Sequence, residues 1–135
     1  GLLLLAATNR PFDLDDAVLR RFPVQIHIPL PDGRAREKML LASLTKVKSR
    51  LSPTDIAAIA RRTERFSSSD LQNLAREAAM VAIRELPPAE VANLASERIR
   101  PIVYNDFLVA LEYVNASCSA KTEKELSDWS NQRRR

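Results

Sequence analysis

A chain of 135 residues that is 45% hydrophobic but only 5% aromatic can enclose one core of Ala, Leu, Val and Ile, as packed helices do, or one small domain plus part of another. The net charge of +4, part of it in the terminal Arg133, Arg134 and Arg135, is too mild to argue for a nucleic-acid surface, and such a tail reads as a solvated end. The single cysteine, Cys118, excludes an internal disulfide and fits a reducing compartment, and the opening apolar run is far shorter than the ~20 residues of a membrane span and lacks the basic lead-in of a signal peptide.

Leu2 to Ala6 is continuously apolar, the pattern of a strand covered on both faces of a parallel sheet. Asp13 to Arg21 reads as a short helix with its acids early and its arginines late, matching the helix dipole. Val24 to Ile28 alternates apolar and polar residues and reads as a second strand. Pro29, Pro31 and Gly33 then mark a domain boundary.

Beyond that boundary the periodicity is helical. Asp32 is placed to cap a helix running to about Lys46, with Met39, Leu40 and Leu44 inward. Ser52-Pro53-Thr54-Asp55 combines a capping serine, a first-turn proline and an acid three residues on, and opens a helix that buries Ile56, Ile59 and Ala60. Ser67-Ser68-Ser69-Asp70 opens the clearest helix, with Leu71, Leu74, Ala75, Ala78, Ala82 and Ile83 at spacings of three and four. Pro87-Pro88 stops it, and one helical turn is expected near Glu90 to Leu94. Pro101 gives an extended bridge before Asn105, expected to cap a helix bearing Phe107, Leu111 and Val114. A polar helix from roughly Thr122 to Gln132 carries the only tryptophan, Trp129. The expected domains are therefore 1–30, 31–118 and a C-terminal helix with a basic tail, 119–135.

Chemistry concentrates between Ala6 and Phe22. A buried strand that ends at Asn9 sets an amide, both donor and acceptor, at the carboxyl edge of a sheet, where open α/β sheets bind ligands. In isolation Asn9 reads as a cap or an Asx turn before Arg10-Pro11. Arg20 and Arg21, adjacent and permanently charged, suit a partner's phosphate, or else complement a helix C-terminus. Asp13, Asp15 and Asp16 read as helix-start acids and not as a metal site; His27 reads as a packed or edge residue and Cys118 as an apolar filler. No Gly-x-x-x-x-Gly-Lys-[Ser/Thr] occurs, the only glycines being Gly1 and Gly33, and no apolar strand ends in paired acids to hold magnesium.

The run Ala6-Ala7-Thr8-Asn9-Arg10-Pro11 with the later Arg20-Arg21 pair resembles the second region of homology of AAA ATPases. Glu64-Arg65-Phe66-Ser67-Ser68-Ser69-Asp70-Leu71 is similar to the family's Asp-Gly-Tyr-Ser-Gly-Ser-Asp-Leu at the start of the lid helix that faces the nucleotide, with Arg65 and Ser68 in place of both glycines. The Ser68 side chain narrows the approach of backbone to a ligand, which glycine leaves open. Asp106-Phe107, followed by Trp129-Ser130-Asn131, resembles the meiotic clade of these ATPases, the spastin-, fidgetin- and katanin-like group, with Gln132 and Arg133 where the family has Phe-Gly.

The resemblance implies an α/β remnant, the end of a parallel P-loop NTPase sheet, followed by a mainly α helical-bundle AAA lid. It implies the C-terminal part of a ring-forming, hexameric, cytoplasmic ATPase that remodels or unfolds protein substrates. Asn9 is then the nucleotide sensor, Arg20 and Arg21 are fingers acting on ATP in the neighbouring subunit, and Ser68, Ser69 and Asp70 line the nucleotide. ATP is the expected cofactor, with magnesium held by residues outside this chain, and this chain alone is expected to be inactive. Tubulin and microtubule severing are the expected substrate and outcome; remodelling of membrane complexes of the ESCRT or outer-membrane type, or a catalytically inactive helical interaction module, are the alternatives.

Overall fold

The computed structural model describes residues 1–45, 47–87 and 99–133, which fall into two compact units, Leu30–Cys118 and Gly1–Pro29 with Ser119–Arg135. The α-helices among them are α1 (Asp16–Arg21), α2 (Gly33–Leu44), α3 (Pro53–Arg62), α4 (Ser68–Arg84), α5 (Tyr104–Ala110) and α6 (Ala120–Arg133), preceded by a 3₁₀ turn over Pro11–Asp13. The helical turn expected near Glu90 to Leu94 lies outside the described residues, as do the side chains of the basic tail from Arg133 on.

In Leu30–Cys118 helices α2, α3 and α4 each start on a side chain that accepts from a first-turn N–H group. Asp32 accepts from the Ala35 N–H at 2.7 Å to begin α2. Ser52 and Asp55 form a reciprocal capping box at α3, and Ser67 and Asp70 form another at α4. The start of α5 differs from expectation. Its cap is Val103, not Asn105, because the Asp106 carboxylate reaches back to the Val103 N–H at 2.8 Å and draws Asn105 into the helix, where it is exposed. The helix closes at Ala110, and Leu111 and Val114 pack on the core from the turn beyond it.

α4 is the central element, packed against α2 on one side and α5 on the other, while α3 packs on α2. Leu40, Ile59, Leu71, Leu74 and Phe107 are fully buried between them. At about 1.5–3 kcal/mol per large side chain removed from water, this cluster is the main source of stability in the unit. A short parallel bridge ties the α2–α3 connection to the entry of α5: the Arg50 N–H donates to the Ile102 carbonyl at 2.8 Å and the Ile102 N–H to the Lys48 carbonyl at 2.9 Å. Arg100 forms a second staple. It is bidentate to Asp106, both contacts at 2.8 Å, and also pairs with Glu85 at the end of α4. The Arg100 guanidinium is the larger influence on the buried Asp106 carboxyl, and it outweighs burial to hold that group below the ordinary carboxylate range.

The other unit departs from the sheet expectation in its local structure. Leu2 to Ala6 and Val24 to Ile28 have the apolar patterns of strands, yet neither forms a ladder among the described residues. A strand requires a neighbour for its N–H and C=O groups, and here none is supplied. Leu2 is consequently 96% exposed and Ile28 85%. The helix expected from Asp13 begins later: Arg10 pairs with Asp13 across the 3₁₀ turn, and Asp15 is the true cap of α1, accepting from the Val18 N–H at 2.7 Å. Among the described residues no helix is long and apolar enough to cross a membrane, and no group of His, Cys, Asp and Glu is arranged to hold a metal ion.

Candidate functional site

Asn9 sits at a bend, exposed, between Thr8 and Arg10, and the Thr8 hydroxyl accepts the Arg10 N–H at 3.0 Å. That bond and the Arg10–Asp13 pair, with the Arg10 guanidinium 5.5 Å from the Phe12 ring centroid, rigidify the turn after Asn9 and leave its amide facing solvent. Arg20 and Arg21 form the last turn of α1, both exposed. The α1 C-terminus is finished by Gln25, whose side-chain amide donates to the Phe22 carbonyl at 3.2 Å. Two free-reaching guanidinium groups on a capped single-sided helix are suited to an oxyanion presented from outside the chain.

Ser68, Ser69 and Asp70 occupy the first turn of α4 and have unlike environments. Ser68 and Ser69 are exposed, and their backbone N–H groups are first-turn donors beyond the reach of intrahelical bonding. Asp70 is 9% exposed, and its Oδ2 accepts from the Ser67 N–H and Oγ, both at 2.9 Å, and from the Ser117 N–H and Oγ at 3.1 and 2.9 Å. Burial works to raise the Asp70 carboxyl, but these hydrogen bonds outweigh it and hold the group below its ordinary range. The carboxylate is thus committed to protein donors. Ser68 and Ser69 present exposed side chains and first-turn N–H groups, while Asp70 holds the turn through its hydrogen bonds.

Directly before this turn, Arg65 has φ of 64°, the only positive φ at a non-glycine among the described residues. The left-handed region costs an L-residue roughly 1–2 kcal/mol, and glycine nothing comparable. Thr63 and Phe66 enforce it. The Thr63 hydroxyl is buried and donates to the Ile59 carbonyl at 3.0 Å, while Phe66 is buried in the core three residues later, so the chain must reverse within Glu64 and Arg65. Ser68, in contrast, lies in regular helix, so its backbone makes no comparable demand for glycine.

Sequence reasoning missed two constellations. Ser117 lies 47 residues from Asp70, and no local signal links them. Arg100 likewise reads as one arginine among many until Glu85 and Asp106 are seen on either side of it.

Known proteins place this geometry in a class. Residues 54–97 match the family model of the AAA+ lid domain. The fold agrees: the chain superposes on the crystal structure of the FIGL-1 AAA domain in complex with ADP with a TM-score of 0.86 at 26% identity, covering 93% of this chain and 42% of that one. It superposes on a structure described as the structural basis for katanin self-assembly with a TM-score of 0.76 at 32% identity, covering 90% and 44%. Residues 54–97 therefore belong to the AAA+ lid domain family, and the likeness to the FIGL-1 AAA domain extends over 93% of the chain.

The similarity to spastins extends over nearly the whole chain. Spastin of Nematostella vectensis is 42% identical over 128 residues, 95% of this chain and 21% of that protein. The spastin homolog of Caenorhabditis elegans is 45% identical over 131 residues, 96% and 26%. The chain thus spans between about a fifth and a quarter of the length of these relatives.

Proposed function

We propose that this chain supplies the trans-acting and lid portions of a ring-forming AAA ATPase that severs microtubules. The observation that carries the reading is the coincidence of two likenesses along one chain: spastins in sequence over 95% of it, and an ADP-bound AAA domain in fold over 93%. Residues 1–30 are read as the end of the large subdomain, 31–118 as the lid and 119–135 as a C-terminal helix with a basic tail. The protein acts as a homo-oligomer, a hexamer, on tubulin at the cytoplasmic cytoskeleton. ATP with magnesium supplies the phosphoryl chemistry, and the metal is held by residues elsewhere in the full-length protein.

Within that scheme each residue of this chain has a physical task. The Asn9 amide orients a water or a phosphate oxygen by donating and accepting at once. Arg20 and Arg21 face a phosphate bound by the neighbouring subunit and stabilise charge as it develops there, an effect typically worth ~10³ to 10⁵ in rate. The Ser68 and Ser69 N–H groups at the positive end of α4 bind the nucleotide of their own subunit.

The test uses the full-length protein. Arg20→Ala and Arg21→Ala are expected to spare nucleotide binding and remove most of the assembly-dependent hydrolysis. Mixing either variant with a phosphate-loop variant restores part of it, because each complements the other at one type of interface. A rate strictly additive in the mixing ratio removes the trans-acting assignment.

A further inference from the structure

The Asp70 carboxylate is buried, carries no ion pair among the described residues and is held by donors from two places. Two of them come from Ser67, whose N–H completes the capping box that starts α4 and whose Oγ donates beside it. The other two, the Ser117 N–H and Oγ, come from the segment after α5. Hydrogen bonds to a charged acceptor are roughly twice as strong as neutral ones, and a buried carboxylate stripped of donors is costly, so the second pair makes a firm junction. Ser117 is exposed, and its segment runs directly on to Ser119, whose hydroxyl accepts the Thr122 N–H at 3.1 Å to start α6.

Resting on the reading of Ser68 and Ser69 as nucleotide-facing, we propose that Asp70 is a positioning residue and not a nucleotide ligand: it clamps Ser117 and thereby registers the Ser68–Ser69 turn to the segment that follows α5. The clamp accounts for the four donors on one oxygen, where a capping box alone uses the Ser67 N–H.

Ser117→Ala removes the hydroxyl donor and keeps the backbone one; Ser117→Thr keeps both. In this chain, a double-mutant cycle of Asp70→Asn with Ser117→Ala, read by urea unfolding, is expected to show a coupling of about tenfold in the unfolding constant. Ser117→Thr is expected to stay close to the parent. Should Asp70→Asn fail to fold, amide exchange decides the same point: Ser117→Ala speeds exchange of the Ser67 and Asp70 N–H groups. Additivity in the cycle, or unchanged exchange, overturns the clamp. In the full-length protein Ser117→Ala is expected to raise the KM for ATP about fivefold at nearly constant kcat, and Ser117→Thr to restore it. A purely structural defect lowers the active fraction, and so kcat, without that split, and an unmoved KM overturns the coupling. Failure of the underlying reading is seen separately: if ADP gives no protection to the Ser68 and Ser69 amides of the full-length protein, the nucleotide-facing turn and the KM expectation fall together, while the clamp still stands or falls on the cycle.

Discussion

Leu30–Cys118 and the first 29 residues are built from similar amino acids and reach opposite outcomes. In the lid, apolar side chains recur every three to four residues, each helix has its own cap, and the faces close on one another until Leu71, Leu74 and Phe107 have no contact with water. In residues 1–29 the leucines of 2–5 and Val24, Ile26 and Ile28 are as apolar as anything in the lid, yet they are exposed. A helix satisfies its backbone from within its own segment, whereas a strand borrows from another. Apolar content therefore becomes a core only where the backbone is already satisfied.

The largest expected effect contrasts the two regions directly. Phe107→Ala is expected to destabilise the lid by about 3–5 kcal/mol, through lost burial and an uncollapsed cavity in the shared core. Leu3→Ala is expected to leave the urea midpoint unchanged and to reduce self-association at high concentration, since an exposed apolar segment with unpaired N–H groups invites pairing. Equal shifts for the two substitutions would erase the distinction drawn here.

A middle-sized effect belongs to the Arg100 staple. Arg100→Ala is expected to cost about 2 kcal/mol, nearly all of it from the Asp106 side. The Glu85 side is largely solvated and contributes little. Acid titration checks the same carboxylate. Asp106 and Asp70 are both held below the ordinary carboxylate range in the folded chain, so the unfolded chain takes up their protons first as pH falls. Their stabilisation is fully present above about pH 4–5 and is lost as pH drops through the folded-state values, at about 1.4 kcal/mol per group and pH unit. Urea midpoints that stay level between pH 7 and 5 and fall below 4, with a shallower fall in Asp106→Asn, are the expected record.

The smallest effect has the opposite sign. Arg65→Gly relieves a left-handed backbone and is expected to stabilise the lid by about 0.5–1 kcal/mol, the relief being partly offset by the added freedom of glycine when unfolded. A loss of stability on this substitution would mean that the Arg65 side chain makes a contact outweighing its own backbone strain.

Much of the lid was legible in the residues because its signals are local. Asp32, Ser52 and Ser67 announce their helices within one turn, and the inward residues of α3 and α4 follow from spacing alone. Arg65 was legible in part, since glycine in the family's pattern at that position points to a positive φ. The α5 cap went astray because Asn105 and Asp106 compete for one role, and the longer reach back to Val103 wins. The Asp70–Ser117 and Arg100–Asp106 contacts depend on where helices pack, which no short window contains. Asn9, Arg20 and Arg21 stand in a motif that the sequence displays, and the structure finds all three exposed.

The parallel bridge between Ser49 and Ile102 has a kinetic consequence. The α2, α3 and α4 contacts join segments close along the chain and cost little loop entropy to form, whereas this bridge must gather its two backbone bonds across α3, α4 and everything between α4 and α5. Closing it is a search over the widest separation spanned by a backbone hydrogen bond among the described residues of the lid, and its two bonds alone cannot drive that search. α5 is therefore expected to dock last in refolding and to open first in native-state exchange, with the Ile102 and Arg50 amides exchanging ahead of those in the middle of α4.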